Sequence, residues 1–165
     1  MLKNPIYFCP DTDLVRTYLN SLNTKRVHAT VYPPRGTPVG VCGSTIFANN
    51  CTAKSIVICK KTTGTFVDSF TEVACVTPDT AFALETNKVA SLFNSEQCPD
   101  SATVSAWNQW AKDETLVRVY LKSGFSYIGT IIAFGENVIV LRVRGDDHIT
   151  KDVLLLGISR VTNKG

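Results

Sequence analysis

The chain has 165 residues, 44% of them hydrophobic and 19% charged, with a formal net charge of +3. That balance is globular rather than disordered, and the length fits one ordinary domain or two small ones. No apolar run approaches the roughly 20 residues of a membrane-spanning helix. The opening MLKNPIYFCPDTD reaches Pro and Asp too early for the apolar region of a secretion signal, so the expected setting is a bacterial or viral cytoplasm.

In chain order, Asp11-Thr12 cap a first helix, on which Leu14, Tyr18, Leu19 and Leu22 recur at three- and four-residue spacing. The period then drops to two in ATVYPPRG (29–36), where Pro33, Pro34 and Pro38 flank a turn and force the strand ends to an edge or a bend. SIVIC (55–59) continues the strand pattern. Thr80 opens a predicted linking helix over 80–94, with Phe82, Leu84, Val89, Leu92 and Phe93 as its apolar members.

A second cap, Asp100-Ser101, precedes a helix carrying Val104, Trp107 and Trp110. Val117, Val119 and Leu121 alternate as a strand, Ser123-Gly124 form a tight turn, and Phe125 to Phe134 make the next strand. NVIVLRVRG and ITKDVLLLGISRV supply the rest, with Asp146 and Asp147 in a polar hairpin turn.

The two stretches answer one another. CPDT (9–12) and CPDS (98–101) lie 89 positions apart, and a shift of 88 sets ATVYPPRG on VRVYLKSG, pairing Tyr32 with Tyr120 and Gly36 with Gly124. FANN (47–50) faces FGEN (134–137) at 87, SIVIC meets VIVL after four extra residues, and SFTEV (69–73) faces GISRV (157–161) at 88. Matched blocks in one order imply a duplication: a first unit at 9–78, a linking helix at 79–98 and a second unit at 99–165. The expected fold is mainly β with short α, each unit a helix followed by five short, strongly bent strands. The alternative is a single mixed domain whose strands resemble one another by chance.

Residues 1–78 carry eight Lys/Arg against four Asp/Glu, 79–98 one against three, and 99–165 eight against seven. The basic first part is compatible with a polyanion partner. All six cysteines precede residue 99, none forms a C-x-x-C pair, and only His28 and His148 could complete a metal site. They read as buried thiols, with zinc or disulfide use as the alternative and no cofactor expected. No phosphate-binding glycine motif or nucleophile motif is present, so the chain is not expected to be an enzyme.

A capped helix and five strands with a glycine turn between the first two resembles the Sm-like fold, and the second unit resembles its Hfq branch of RNA chaperones. Ala106 to Phe134 runs without a gap along that family's helix, first strand, turn and second strand. LGISRV (156–161) stands where the family has HAIS; Gly124, Gly129, Phe134 and Ile158 fall in register, whereas the YKH signature is missing. The resemblance implies a six-unit ring closed by edge-strand pairing, here from three chains. It implies post-transcriptional regulation or RNA chaperoning through single-stranded, A-rich RNA.

Carried onto this sequence, the A-rich site falls on Tyr32, Gly36 and Thr37 in the first unit and on Tyr120, Gly124 and Phe125 in the second. Aromatic rings there would stack bases at about 1–3 kcal/mol each. The family's uridine site departs: Asn50 and Asn137 replace its Phe, and Val67-Asp68 and Leu155-Leu156 replace its Lys-His. Its rim arginines fall on Asn23, Thr24 and Arg26, and on Ala111, Lys112 and Glu114, leaving one basic residue in each trio. Lys25, Arg26, Arg35, Lys54, Lys60 and Lys61 offer non-specific phosphate contacts. The lost Lys-His pair favours a second reading, a structural or protein-binding ring whose RNA sites have decayed.

Overall fold

The computed structural model describes residues 8–9, 11–25, 27, 29–32, 39–41, 55–60, 64–69, 75–78, 80–85, 102–122, 124–145 and 148–163; within these, 30–32, 39–41, 55–60 and 64–69 are described by backbone pairing. The chain runs α1 (Asp11–Lys25), β1 (Ala29–Tyr32), β2 (Val39–Val41), β3 (Ser55–Lys60), β4 (Gly64–Ser69) and β5 (Cys75–Pro78). It continues with α2 (Ala102–Lys112), β6 (Val117–Leu121), β7 (Ser126–Phe134), β8 (Val138–Arg144), β9 (Thr150–Leu156) and β10 (Ile158–Asn163). The protein is mainly β with few short helices, as the two-residue alternation predicts.

Among the described residues ten strands form one sheet, in the order β10-β6-β7-β8-β9-β5-β1-β2-β3-β4. All the pairings are antiparallel. The five strands up to Pro78 therefore lie side by side, and the five after Ala102 do likewise, with the last strand of each set beside its first. The two sets meet where β5 pairs with β9, through Cys75↔Leu155 and Val76↔Leu154.

Registers correspond between the sets. Ala29↔Val41, Thr30↔Gly40 and Val31↔Val39 join β1 to β2, while Val117↔Gly129, Arg118↔Ile128 and Val119↔Tyr127 join β6 to β7. Each residue differs from its counterpart by 88 (117 − 29 and 129 − 41). The last strand corrects the expected alignment. Tyr32↔Cys75 and Tyr120↔Arg160 set Cys75 against Arg160, an offset of 160 − 75 = 85 rather than 88. The connection before it explains the slip: residues 70–74 separate β4 from β5, whereas Gly157 alone, at φ +65°, turns β9 into β10.

Helix α1 buries Leu14, Val15, Tyr18, Leu19 and Leu22, the face its spacing predicts. That face packs on Ala133, Val138, Val140, Leu154 and Leu156. Helix α2 buries Trp107 and Ala111 and half-buries Val104 and Trp110. Trp107 meets Phe134 edge-on at 5.6 Å, within the cluster holding Ile139, Leu141, Val153 and Leu155. Both faces of β8 and β9 are thus covered over much of their length, which is why VIVL and VLLL read as unbroken apolar runs. Helix α2 ends in a Schellman turn: Glu114 is left-handed at φ +53°, and the Glu114 and Thr115 amides bond to Ala111 and Trp110 carbonyls at 3.2 and 2.9 Å.

Strand β7 changes partners along its length, pairing with β6 from Ser126 to Gly129 and with β8 from Thr130 to Phe134, with a bulge between Ile131 and Ala133. Gly129 marks the changeover, and a Cβ there would collide with the Arg142 carbonyl. The linking helix is corrected over its described part. Residues 80–85 are extended: the Phe82 carbonyl accepts from the Asp152 amide at 2.9 Å, and the Leu84 amide donates to the Asp152 carboxylate at 2.7 Å. Apolar Phe82 and Leu84 are buried as expected, but the backbone bonds go across to β9 instead of along a helix. Residues 86–94 lie outside the described residues.

Candidate nucleic-acid interface

Strand β6 alternates Val117, Val119 and Leu121 into the core with Arg118, Tyr120 and Lys122 on the other side. Strand β10 pairs with it at Arg160↔Tyr120, which brings a guanidinium from 40 residues away onto the aromatic ring. The Arg160 guanidinium carbon lies 4.2 Å from the Tyr120 ring centroid, within cation–π range. Tyr120 is half-buried, Arg118 is half-buried, and Lys122 and Arg160 are exposed. Arg160 therefore covers the ring, and Arg118 and Lys122 stand two residues before and after Tyr120 along the chain.

The turn after β6 completes the patch. Gly124 adopts φ +102°, and its amide bonds to the Leu121 carbonyl at 3.0 Å while the Leu121 amide bonds to the Phe125 carbonyl at 2.9 Å. The left-handed backbone requires glycine, as the turn reading supposed. Phe125 follows with 42% of its surface exposed, opposite Leu121 in the hairpin, while Tyr120 pairs with Ser126.

Of the residues singled out from sequence, Tyr120 lies near the end of β6, and Gly124 and Phe125 lie in the turn that follows, with Phe125 opposite Leu121. Tyr32 stands on β1 opposite Cys75, which is fully buried, so the two tyrosines have different neighbours across their last strands. Gly36, Thr37, Arg35, Arg26 and Asn50 lie outside the described residues. Lys25 is engaged elsewhere: its ammonium donates to the Ala83 carbonyl at 2.8 Å, stands 3.9 Å from the Glu85 carboxylate and lies over the Phe82 ring. It holds the 80–85 segment rather than presenting a free phosphate contact. Lys112 is exposed in the last turn of α2. Asn137 is exposed between β7 and β8, where its carbonyl accepts from the Gly157 amide at 3.1 Å. Leu155 and Leu156 are buried in the two cores, Leu156 under α1. A Lys-His pair in their place would bury two polar side chains in apolar surroundings.

Sequence reasoning missed Arg118, Lys122 and Arg160. The first two were visible as the alternation R-V-Y-L-K on one strand face. Arg160 had no local signal, since only pairing across the sheet brings it to Tyr120.

A cleft of about 410 Å³ opens over the β5–β9 seam, with Thr77, Tyr127, Lys151 and Val153 among its lining residues. Tyr127 hydrogen-bonds the Cys75 sulfur, and Cys75 lies 3.3 Å from the Thr77 hydroxyl. Burial raises the Cys75 thiol above its ordinary pKa, which keeps it a neutral spacer in the seam. Among the described residues no group of three or more His, Cys, Asp or Glu could hold a metal ion, and no helix is long and apolar enough to cross a membrane.

The chain matches no protein-family model and no curated protein sequence.

Proposed function

We propose that the chain is two tandem Sm-like units, three chains of which close into a six-unit ring that binds single-stranded, A-rich RNA. Two observations support the architecture: one strand order, last strand beside first, occurs in both sets, and their first hairpins share one register at an offset of 88. The β5–β9 pairing is an edge-to-edge joint between such units, the kind of joint that closes a ring and hides exposed strand edges.

The RNA reading rests on the Tyr120 face. A ring for stacking, with Arg160 over it and Arg118 and Lys122 two residues to either side along the chain, combines sequence-tolerant base contact with phosphate attraction. Post-transcriptional regulation or RNA chaperoning in a cytoplasm is the role this activity would serve. The scaffold reading is favoured by one observation, the burial of Leu155 and Leu156 where a uridine site would need polar groups.

The test is fluorescence anisotropy of labelled oligo-A and oligo-U across a salt series, with the wild type and a Tyr32→Ala/Tyr120→Ala double variant. The expected result is oligo-A binding at low salt that the double variant loses. Absence of oligo-A binding at low salt, or equal binding by the variant, leaves the scaffold reading.

A further inference from the structure

Tyr120 does not present an open ring. The Arg160 guanidinium carbon lies 4.2 Å from the ring centroid, inside the roughly 4.5–7 Å at which a stacked aromatic partner would place its own centre. Tyr120 is also half-buried. A base that stacked directly on the covered face would first have to expel the guanidinium.

A bulge puts Arg160 there. Residues two apart on a regular strand share a face, so Arg160 would lie on the same side as Ile158. Ile158 instead pairs with Leu121, and both are buried. The register shifts between Ile158 and Arg160, and Arg160 then pairs with Tyr120. The slip of one residue sends Ile158 into the core and Arg160 to the opposite face. Directly opposite residues of an antiparallel pair share a face, so Arg160, Tyr120 and Ser126 form one outer row across β10, β6 and β7. Thr162, Arg118 and Ile128 form the next row. Within these two rows Arg160 is the exposed planar group, whereas Tyr120 and Arg118 are half-buried. Among the described residues no carboxylate forms an ion pair with Arg160.

We infer that the Arg160 guanidinium is the surface a base meets, and that Tyr120 is the positioning residue that holds it flat. The inference rests on the RNA reading above and adds the binding group and the class of base. A guanidinium is planar, delocalised and weakly hydrated, so one side can rest on an aromatic ring while the other stacks on a base. A lysine ammonium offers the charge without the plane. The two fused rings of a purine cover more of that plane than the single ring of a pyrimidine. The site therefore selects purine over pyrimidine through stacking strength. The base must be unpaired to lie on it, which fits single-stranded RNA, and the same charge attracts the neighbouring phosphate.

The experiment is fluorescence anisotropy of labelled oligo-A and oligo-U across a salt series, with circular dichroism as the folding control. The proteins are full-length wild type, Arg160→Lys, Arg160→Ala, Tyr120→Phe and Tyr120→Leu. Arg160→Lys is expected to bind oligo-A about tenfold more weakly with an unchanged salt slope, and to lose most of the preference over oligo-U. Arg160→Ala is expected to lose at least as much affinity and to lower the slope by about one. Tyr120→Phe keeps the aromatic face and is expected to match the wild type, while Tyr120→Leu, which removes it, is expected to behave like Arg160→Lys.

Tighter oligo-A binding by Arg160→Ala would make the guanidinium a lid over the ring and overturn the inference. Wild-type affinity in Arg160→Lys overturns it as well. Both results leave the RNA reading standing. A wild type that binds neither oligonucleotide at low salt removes the RNA reading and the inference together.

Discussion

Arg142 and Asp152 face each other across β8 and β9, the guanidinium donating two hydrogen bonds to the carboxylate at 2.8 and 3.0 Å. Asp152 is fully buried, whereas the Arg142 side chain keeps 36% of its surface exposed. The carboxylate also accepts from the Leu84 amide, and the Asp152 carbonyl accepts from the Tyr18 hydroxyl at 2.6 Å. One residue of β9 thereby secures α1, the 80–85 segment and β8. The hydrogen bonds to Asp152 also raise the Arg142 pKa and keep its charge in place.

That asymmetry of exposure orders the effects of mutation. Arg142→Ala strands a buried carboxylate and is expected to cost about 3–5 kcal/mol. Asp152→Ala leaves a cation that can turn to water and one unpaired amide, at about 1–3 kcal/mol. Urea unfolding midpoints of the two variants check the order; equal or reversed costs would show that the carboxylate is not held by the arginine.

Tyr18→Phe removes the hydroxyl that reaches the Asp152 carbonyl and keeps the ring, which packs edge-on against Phe82 at 5.4 Å. The expected loss is about 1 kcal/mol, read as a lowered thermal midpoint with an unchanged circular dichroism spectrum.

Two glycines of the second set act for different reasons, and alanine separates them. Gly129→Ala places a methyl against the Arg142 carbonyl, where backbone must move. Gly124→Ala meets nothing within 4 Å but must hold φ +102°. The first is expected to cost more than about 2 kcal/mol; the second about 1–3 kcal/mol, with loss of oligo-A affinity through the displaced Phe125. Paired thermal melts and anisotropy titrations test both.

Burial, with the nearby Asp13 carboxylate adding to it, pushes the Cys9 thiol up from 9.0 to about 12. The folded state holds this proton where the unfolded chain releases it. The contribution is therefore fully present below pH 9 and is lost as pH rises from about 9 to about 12. At pH 8 the Cys9 and Cys75 peptides are expected to stay unmodified by iodoacetamide in the folded protein and to react fully in urea, by mass spectrometry.

Arg118→Gln and Lys122→Gln remove cations flanking Tyr120 without touching the core. Each is expected to weaken oligo-A binding and to reduce the slope of log affinity against log salt by about one. An unchanged slope would place the RNA elsewhere on the surface.

Much of this architecture was legible in order along the chain, because helix faces and strand alternation are local. Leu14, Tyr18, Leu19 and Leu22 announced the buried face of α1, and a turn at Gly124 follows β6 as expected. Arg118 and Lys122 were missed, although the order R-V-Y-L-K carried them two residues to either side of Tyr120. The 80–85 segment misled because Phe82 and Leu84 are two apart, a spacing that serves an extended chain whose amides reach β9. Nothing in ITKDVLLL distinguished Asp152 from a surface carboxylate.

The amino-acid order alone therefore marks α1, α2 and the strands of the second set and which of their faces are apolar, since those depend on neighbours within a few residues. The partners across the sheet were decided by the fold. Arg160 reaches Tyr120, Asp152 takes Arg142 and Leu84, and the last strands correspond at 85 because connections of unequal length are absorbed before the strands pair. Hydrogen-bond register and burial act between segments far apart in sequence, and only the folded chain brings them into contact.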